Sequence, residues 1–111
     1  PGEYHFTLPN GVYQVTLKFA EFDVTNATDR VMRVSMEGVV VENALSIWGL
    51  VGRYVALDRV YVVSVTDGRL TIAFSQNGGR KVPVVSAIYV APRTGETSFA
   101  PTSFAPGIRR N

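Results

Sequence analysis

LPNGVYQVTLKFAEF, residues 8–22, is the stretch that decides the fold. Tyr13, Val15, Leu17 and Phe19 fall on one face of an extended chain, with Gln14, Thr16, Lys18 and Ala20 on the other. Apolar residues at every second position mark a strand that buries one side and wets the other. Just upstream, Tyr4, Phe6 and Leu8 alternate with His5 and Thr7. The two segments read as a hairpin closed by Asn10-Gly11, where glycine accepts the positive φ of a tight turn. The rest of the chain has to cover the apolar face of this strand.

A polar loop over residues 23–29 follows. Alternation then resumes with Met32, Val34 and Met36 against Arg33 and Ser35, up to a Glu37-Gly38 turn, and residues 39–41 make a short apolar strand. Residues 43–58 interrupt the pattern at Trp48-Gly49 and Gly52-Arg53-Tyr54. A glycine inside a helix costs about 1 kcal/mol relative to alanine, so this part reads as a strand edge and a crossing loop rather than a helix. A β-branched run over residues 60–65, an Asp67-Gly68 turn and the alternating Leu70, Ile72 and Phe74 predict a second hairpin. Residues 76–81 read as a mobile polar loop, and residues 82–90 as a closing strand with Pro83 at its start or on an edge. No long segment carries a 3.6-residue period. About eight short strands, with a turn roughly every ten residues, predict an all-β antiparallel sandwich.

The chain has 111 residues, 46% of them hydrophobic and 18% charged, which suits one domain with a real core. No stretch approaches the roughly 20 apolar residues of a membrane helix, so a soluble domain without membrane partners is expected. Beginning at Pro1 without an apolar leader, it reads as a processed product or an excised piece of a longer chain. Cysteine is absent, which removes disulfides and thiolate metal sites. Residues 1–91 hold eight basic and eight acidic side chains, and no basic stripe forms, so no nucleic-acid partner is expected.

The composition changes after residue 91. Residues 97–101, TSFAP, repeat at once as residues 102–106, and PGIRRN closes the chain. Residues 1–91 are expected to form the sandwich and residues 92–111 an extended tail. The evenly spaced Phe99 and Phe104 are candidate contacts with the chain's own sandwich or with a neighbouring subunit.

Chemistry-bearing residues are few. His5 is the single histidine and lies on the outward face of its strand, with no serine or acid placed beside it by spacing, so no catalytic site is expected. Glu21 and Asp23, two apart at a strand end, share a face in an extended chain. With backbone carbonyls they could hold a calcium ion, although a solvated strand end explains them equally; no cofactor is called for. Asn26-Ala27-Thr28 matches the N-glycosylation acceptor pattern in an exposed loop. The aromatics that alternation leaves unexplained are Trp48 and Tyr54, each beside a glycine-containing turn. A ring displayed on a loop can stack on the C–H face of a sugar while polar neighbours meet its hydroxyls. For Trp48, plugging the core is the competing reading.

The succession LPNGVYQVTLKFAEF, RVMRVSMEGVVVENALSIW, VGRYVAL, VYVVSVTDGRLTIAF and VPVVSAIYV resembles the malectin domain and its bacterial relatives, the malectin-like carbohydrate-binding modules, over about residues 3–91. The resemblance implies a jelly-roll, galactose-binding-like β-sandwich and non-catalytic binding of oligosaccharides, glucose disaccharides in the namesake. It also exposes departures. Where sugar-binding members carry aromatics after the Phe-Ala-Glu strand end, this chain has Asp23 and Val24, and near Lys81 it lacks a family aspartate. Trp48 stands in a slot where the family often has an aromatic.

The function expected is an extracellular carbohydrate-binding module using the loops 23–29, 48–54 and 76–81, with Trp48, Tyr54, Asp23, Asn26 and Lys81 as its contacts. The alternative is a structural subunit of an extracellular assembly, a homo-oligomer joined through the tail or a sheet edge. The family's upstream segment is missing here, which would leave apolar surface and an open edge for such joining.

Overall fold

The computed structural model describes residues 2–93 and residues 102–103. Its elements are β1 (Gly2–Thr7), β2 (Gly11–Ala20), β3 (Arg30–Met36), β4 (Val39–Leu45), α1 (Ile47–Val51), β5 (Ala56–Val65), β6 (Arg69–Gly79), β7 (Ala87–Pro92) and β8 (Thr102–Ser103). The strands form two four-stranded antiparallel sheets, in the orders β1-β6-β3-β4 and β7-β2-β5-β8. The alternating apolar faces meet between them. Tyr13, Leu17 and Phe19 of β2 and Tyr61 and Val63 of β5 pack against Met32, Val34 and Met36 of β3 and Leu70, Ile72 and Phe74 of β6. The expected antiparallel β-sandwich is the architecture.

The strand pairing differs from the sequence reading. β1 pairs with β6 in one sheet, Thr7 facing Arg69, while β2 pairs with β5 in the other, Gly11 facing Val65. Neither Asn10-Gly11 nor Asp67-Gly68 closes a hairpin; both segments cross between the sheets, and they cross side by side. Leu8 N donates to Gly68 O at 3.1 Å, Gly68 N donates to Asn10 Oδ1 at 2.7 Å, and the Tyr13 hydroxyl donates to Pro9 O at 2.5 Å. Turn residues specify where the chain bends, not which strand lies alongside. Burial decides that here, because folding a double strand over on itself brings the apolar faces of its two halves together. The tight two-residue hairpin lies instead between β3 and β4, where Glu37 and Gly38 take φ of 53° and 80°. Glu37 is held there by Thr71, whose backbone N donates to its carboxylate at 2.8 Å.

Three further expectations are corrected. Residues 47–51 form the short helix α1 rather than a crossing loop, with Ser46 Oγ accepting from Gly49 N at 3.0 Å and Gly52 ending the turn at φ 80°. Glycine is tolerated because α1 packs closely: a Cβ on Gly49 would stand 3.3 Å from the Ala27 Cβ. β6 runs on to Gly79 through residues assigned to a mobile loop, since Gln76 pairs with Met32 and Gly79 with Arg30 and a backbone ladder needs no apolar side chains. β7 begins only at Ala87, leaving residues 82–86 irregular. The described part of the tail, Thr102–Ser103, pairs with Val62 and Tyr61 of its own β5. Phe99 and Phe104 lie outside the described residues.

β1 and β7, edge strands of different sheets, lie on one flank with an open cleft of about 280 Å³ between them, lined by Tyr4, Phe6, Val85, Ser86, Ala87 and Ile88. Away from it, the sheets are tied by a polar bridge. Tyr61 on β5, 1% exposed, donates its hydroxyl to the Glu42 carboxylate on β4, and Arg59 Nε lies 3.0 Å from the same carboxylate.

The loop end of the sandwich is braced by a buried ion pair. Glu21 and Arg30, with side chains 1% and 6% exposed, meet at 3.1 Å. The Glu21 carboxylate also accepts from the backbone N of Asp23 and Val24, at 3.1 and 3.2 Å, and Arg30 Nε donates to Val82 O at 3.2 Å. One pair thus fixes the β2–β3 connection and ties it to the β6–β7 connection.

These contacts predict three outcomes. Glu21→Ala leaves the Arg30 charge buried without its partner and is expected to cost about 3–5 kcal/mol in urea unfolding; a loss below about 1 kcal/mol would show that the pair does not brace the loops. Gly79 has φ +77°, and a Cβ there would stand 2.4 Å from Asp29 O, whereas at Gly78 it meets nothing within 4 Å. Gly79→Ala should therefore cost about 2–4 kcal/mol, more than the roughly 1–2 kcal/mol of backbone strain expected for Gly78→Ala. Burial, and then the bond to Glu42, push the Tyr61 hydroxyl well above its ordinary value. Its folded pKa is raised, so the stability it contributes is complete below the unfolded value of about 10 and declines as pH rises above it. Tyr61→Phe should lower stability at pH 7 by about 1–3 kcal/mol and flatten the fall measured above pH ~10.

Candidate functional site

β2, β4 and β6 end, and β3, β5 and β7 begin, at the same end of the sandwich. Antiparallel pairing therefore gathers three connections there: residues 21–29, residues 46–55 with α1, and residues 80–86. Backbone bonds lock them together. Tyr54 N donates to Glu21 O at 2.8 Å, and the backbone N of both Arg80 and Lys81 donates to Asp29 O at 2.9 Å.

Next to the buried Glu21–Arg30 pair, the first two connections present an aromatic platform. Phe22 and Tyr54 are each 64% exposed, with ring centroids 5.7 Å apart and planes inclined by 43°. Tyr54 is carried at φ 66°, a left-handed conformation costly for a residue with a Cβ, and its backbone bond to Glu21 holds it there. The Arg53 guanidinium lies 4.8 Å from the Tyr54 ring centre. Beside the platform is a cleft of about 170 Å³ lined by Ala20, Phe22, Asp23, Arg30, Val85 and Ser86. Asp23 is on its rim and accepts from Lys81 Nζ at 3.0 Å, which holds the Asp23 carboxyl below its ordinary value. Asp29 is likewise held down by the Arg80 guanidinium, 2.7 Å away.

The residues singled out from sequence are unequally placed. Tyr54 belongs to the platform, and Asp23 and Lys81 face each other at its edge. Asn26 lies nearby, but its side chain folds its own loop, with Oδ1 accepting from Thr28 N, Thr28 Oγ1 and Asp29 N and Nδ2 donating to Asp29. Trp48 is half-buried on α1, and among the described residues no ring contact joins it to the platform. The Glu21–Asp23 pair does not form the shared oxygen site considered for calcium. Glu21 keeps the inward parity of β2 and meets Arg30, whereas β2 stops at Ala20 and Asp23, two residues further on, turns out to Lys81, with Arg30 3.8 Å away.

Phe22 was missed by the sequence reading, although its signal is there. It continues the even-numbered, outward parity of β2, and a large aromatic on a wetted face calls for an explanation. Glu21 and Arg30 carry the complementary signal, two charged residues on inward parities. His5 lies on β1, in hydrogen-bond contact with Thr71 Oγ1 at 3.1 Å and Arg69 Nε at 3.2 Å.

Comparison with known proteins agrees with this architecture. The family model described as the malectin domain matches residues 2–92. Among solved structures, the chain is similar to a Bacteroides uniformis β-glucuronidase, at 26% identity and a TM-score of 0.75, covering 83% of this chain and 11% of that one. It is also similar to Bacteroides uniformis β-glucuronidase 2 covalently bound to cyclophellitol-6-carboxylate aziridine, at 25% identity and a TM-score of 0.74, covering 83% of this chain and 10% of that one. The chain thus spans about a tenth of the length of these structures. No curated protein matches the sequence. With the family model spanning nearly the whole of the sandwich, the chain belongs to the malectin domain family.

Proposed function

We propose that this domain is a non-catalytic carbohydrate-binding module that takes an oligosaccharide on the Phe22–Tyr54 platform, outside the cell and attached to or associated with a glycan-processing protein. The observation that carries this reading is the pair of adjacent rings, each 64% exposed, with a polar-rimmed cleft beside Phe22. Exposed aromatic surface has no folding advantage, and its clustering marks a contact face. A pyranose ring presents C–H groups that pack on such a face, and its hydroxyls need polar partners at the edge. Asp23 accepts, Lys81 donates and Ser86 does either, all within the same group of loops. The braced loops supply preorganisation, so little ordering is required on binding.

The family match supports carbohydrate binding as the general role, and the likeness to a domain within β-glucuronidase structures supports an accessory place beside glycan chemistry. Chemistry on the sugar itself would call for a nucleophile or an acid and base in reach of the platform. The acids there are engaged in ion pairs with Arg30, Lys81 and Arg80.

Titration calorimetry against a panel of gluco-oligosaccharides tests the reading. Phe22→Ala and Tyr54→Ala should each weaken binding about tenfold or more, equivalent to roughly 1.4 kcal/mol. Trp48→Ala, which removes no ring contact of the platform, should change Kd less than about threefold. Binding that survives both platform substitutions would place the sugar elsewhere.

A further inference from the structure

The charges at the loop end narrow the class of sugar, on the condition that the platform is the sugar site. The three connections and the start of β3 carry three acids, Glu21, Asp23 and Asp29, and four cations, Arg30, Arg53, Arg80 and Lys81. Each acid has a cation at contact distance: Glu21 has Arg30 at 3.1 Å, Asp23 has Lys81 at 3.0 Å with Arg30 further off at 3.8 Å, and Asp29 has Arg80 at 2.7 Å. Arg53 is left over. It is exposed, no carboxylate pairs with it among the described residues, and its guanidinium rests over the ring of Tyr54.

We propose that the platform selects acidic oligosaccharides built from uronic acids, with Arg53 receiving the carboxylate of a pyranose stacked on Phe22 and Tyr54. A C5 carboxylate projects from the edge of a pyranose roughly along its mean plane, so stacking the ring on the platform sends the carboxylate sideways, toward groups that flank the aromatics. Arg53 adjoins Tyr54 in the chain, and from its place over the Tyr54 ring the guanidinium can swing to the flank. Its planar fork of donors matches a carboxylate and can bond it at two points. The existing contact with the Tyr54 ring is weak at an exposed site and can be exchanged for the ligand while the side-chain stem stays in place. The neighbouring acids do not oppose an anion, because each is already neutralised at contact distance. Arg80, whose side chain is 77% exposed, is itself taken up by Asp29, so the four cations and three acids of this end leave one net positive charge, that of Arg53. A neutral sugar would use the rings and the Asp23–Lys81 edge but would leave Arg53 with nothing to bind.

The test is titration of the whole chain with two tetrasaccharides that share one backbone, cellotetraose and its fully C6-oxidised uronate form, at low and at physiological salt. The uronate should bind about tenfold more tightly at low salt, and the preference should shrink as salt is raised. Arg53→Gln should bring the affinity ratio close to one, and Arg53→Lys should keep part of it, which separates a charge effect from a lost fold. Equal affinities in the native chain, or a ratio unchanged by Arg53→Gln, would overturn the acidic preference while leaving the platform as a neutral-sugar site. Failure of both tetrasaccharides to bind would overturn this proposal, and failure of the wider gluco-oligosaccharide panel as well would remove the platform reading on which it rests.

Discussion

A carboxylate that is 1% exposed has to be answered inside the protein, and the way Glu21 is answered organises the functional end of this domain. Removing a charge from water costs several kcal/mol unless a partner and hydrogen bonds replace the lost hydration. Arg30 and two backbone N–H groups do so, and the guanidinium then reaches the carbonyl of Val82. The pair is therefore less a source of net stability than a constraint on geometry: its bonds are complete only when the β2–β3 and β6–β7 connections take up one arrangement. Tyr54 N on Glu21 O brings the third connection under the same constraint. The backbone that carries the exposed rings of Phe22 and Tyr54 is held by these bonds.

The sandwich explains why those connections meet. A double strand crossing from one sheet to the other, β1 and β2 alongside β6 and β5, buries its own apolar faces and leaves the loops at opposite ends. Its bend is stitched by Leu8, Asn10 and Gly68 at the end away from the platform. Core and site are thus mechanically separate, and loop residues can vary in chemistry without disturbing Leu17, Ile72 or their neighbours. Val24, 3% exposed, belongs to the core, and the exposed ring at this strand end is that of Phe22.

Much of the fold was legible in the sequence because period-two burial is a local property. The alternation of residues 13, 15, 17 and 19, and of 32, 34 and 36, fixed which side chains are inside, and all seven are buried. The pairing was not legible. Asn10-Gly11 and Asp67-Gly68 have the chemistry of hairpin turns, yet each joins strands of different sheets, because register and partner depend on which surfaces meet after the chain has bent. The helix over residues 47–51 was hidden by Gly49, whose cost is offset by close approach to Ala27, and by Gly52 just past its end. Of the site, Tyr54, Asp23 and Lys81 were found as loop residues with the right chemistry, and Phe22 was passed over because an apolar residue next to an apolar strand is read as more of the same.

By itself, the sequence determined the all-β class, the inward and outward parity of each strand, the cysteine-free core and the kinship with malectin domains, since each follows from local pattern or residue order. Only the tertiary structure decided that Glu21 neutralises Arg30, that Phe22 stands beside Tyr54, and that Arg53 is left with a ring for company while every acid around it is engaged. Those facts depend on side chains up to 32 positions apart arriving at one end of a sandwich, as Phe22 and Tyr54 do. No local pattern carries that information, because it is set by how the sheets close over the core.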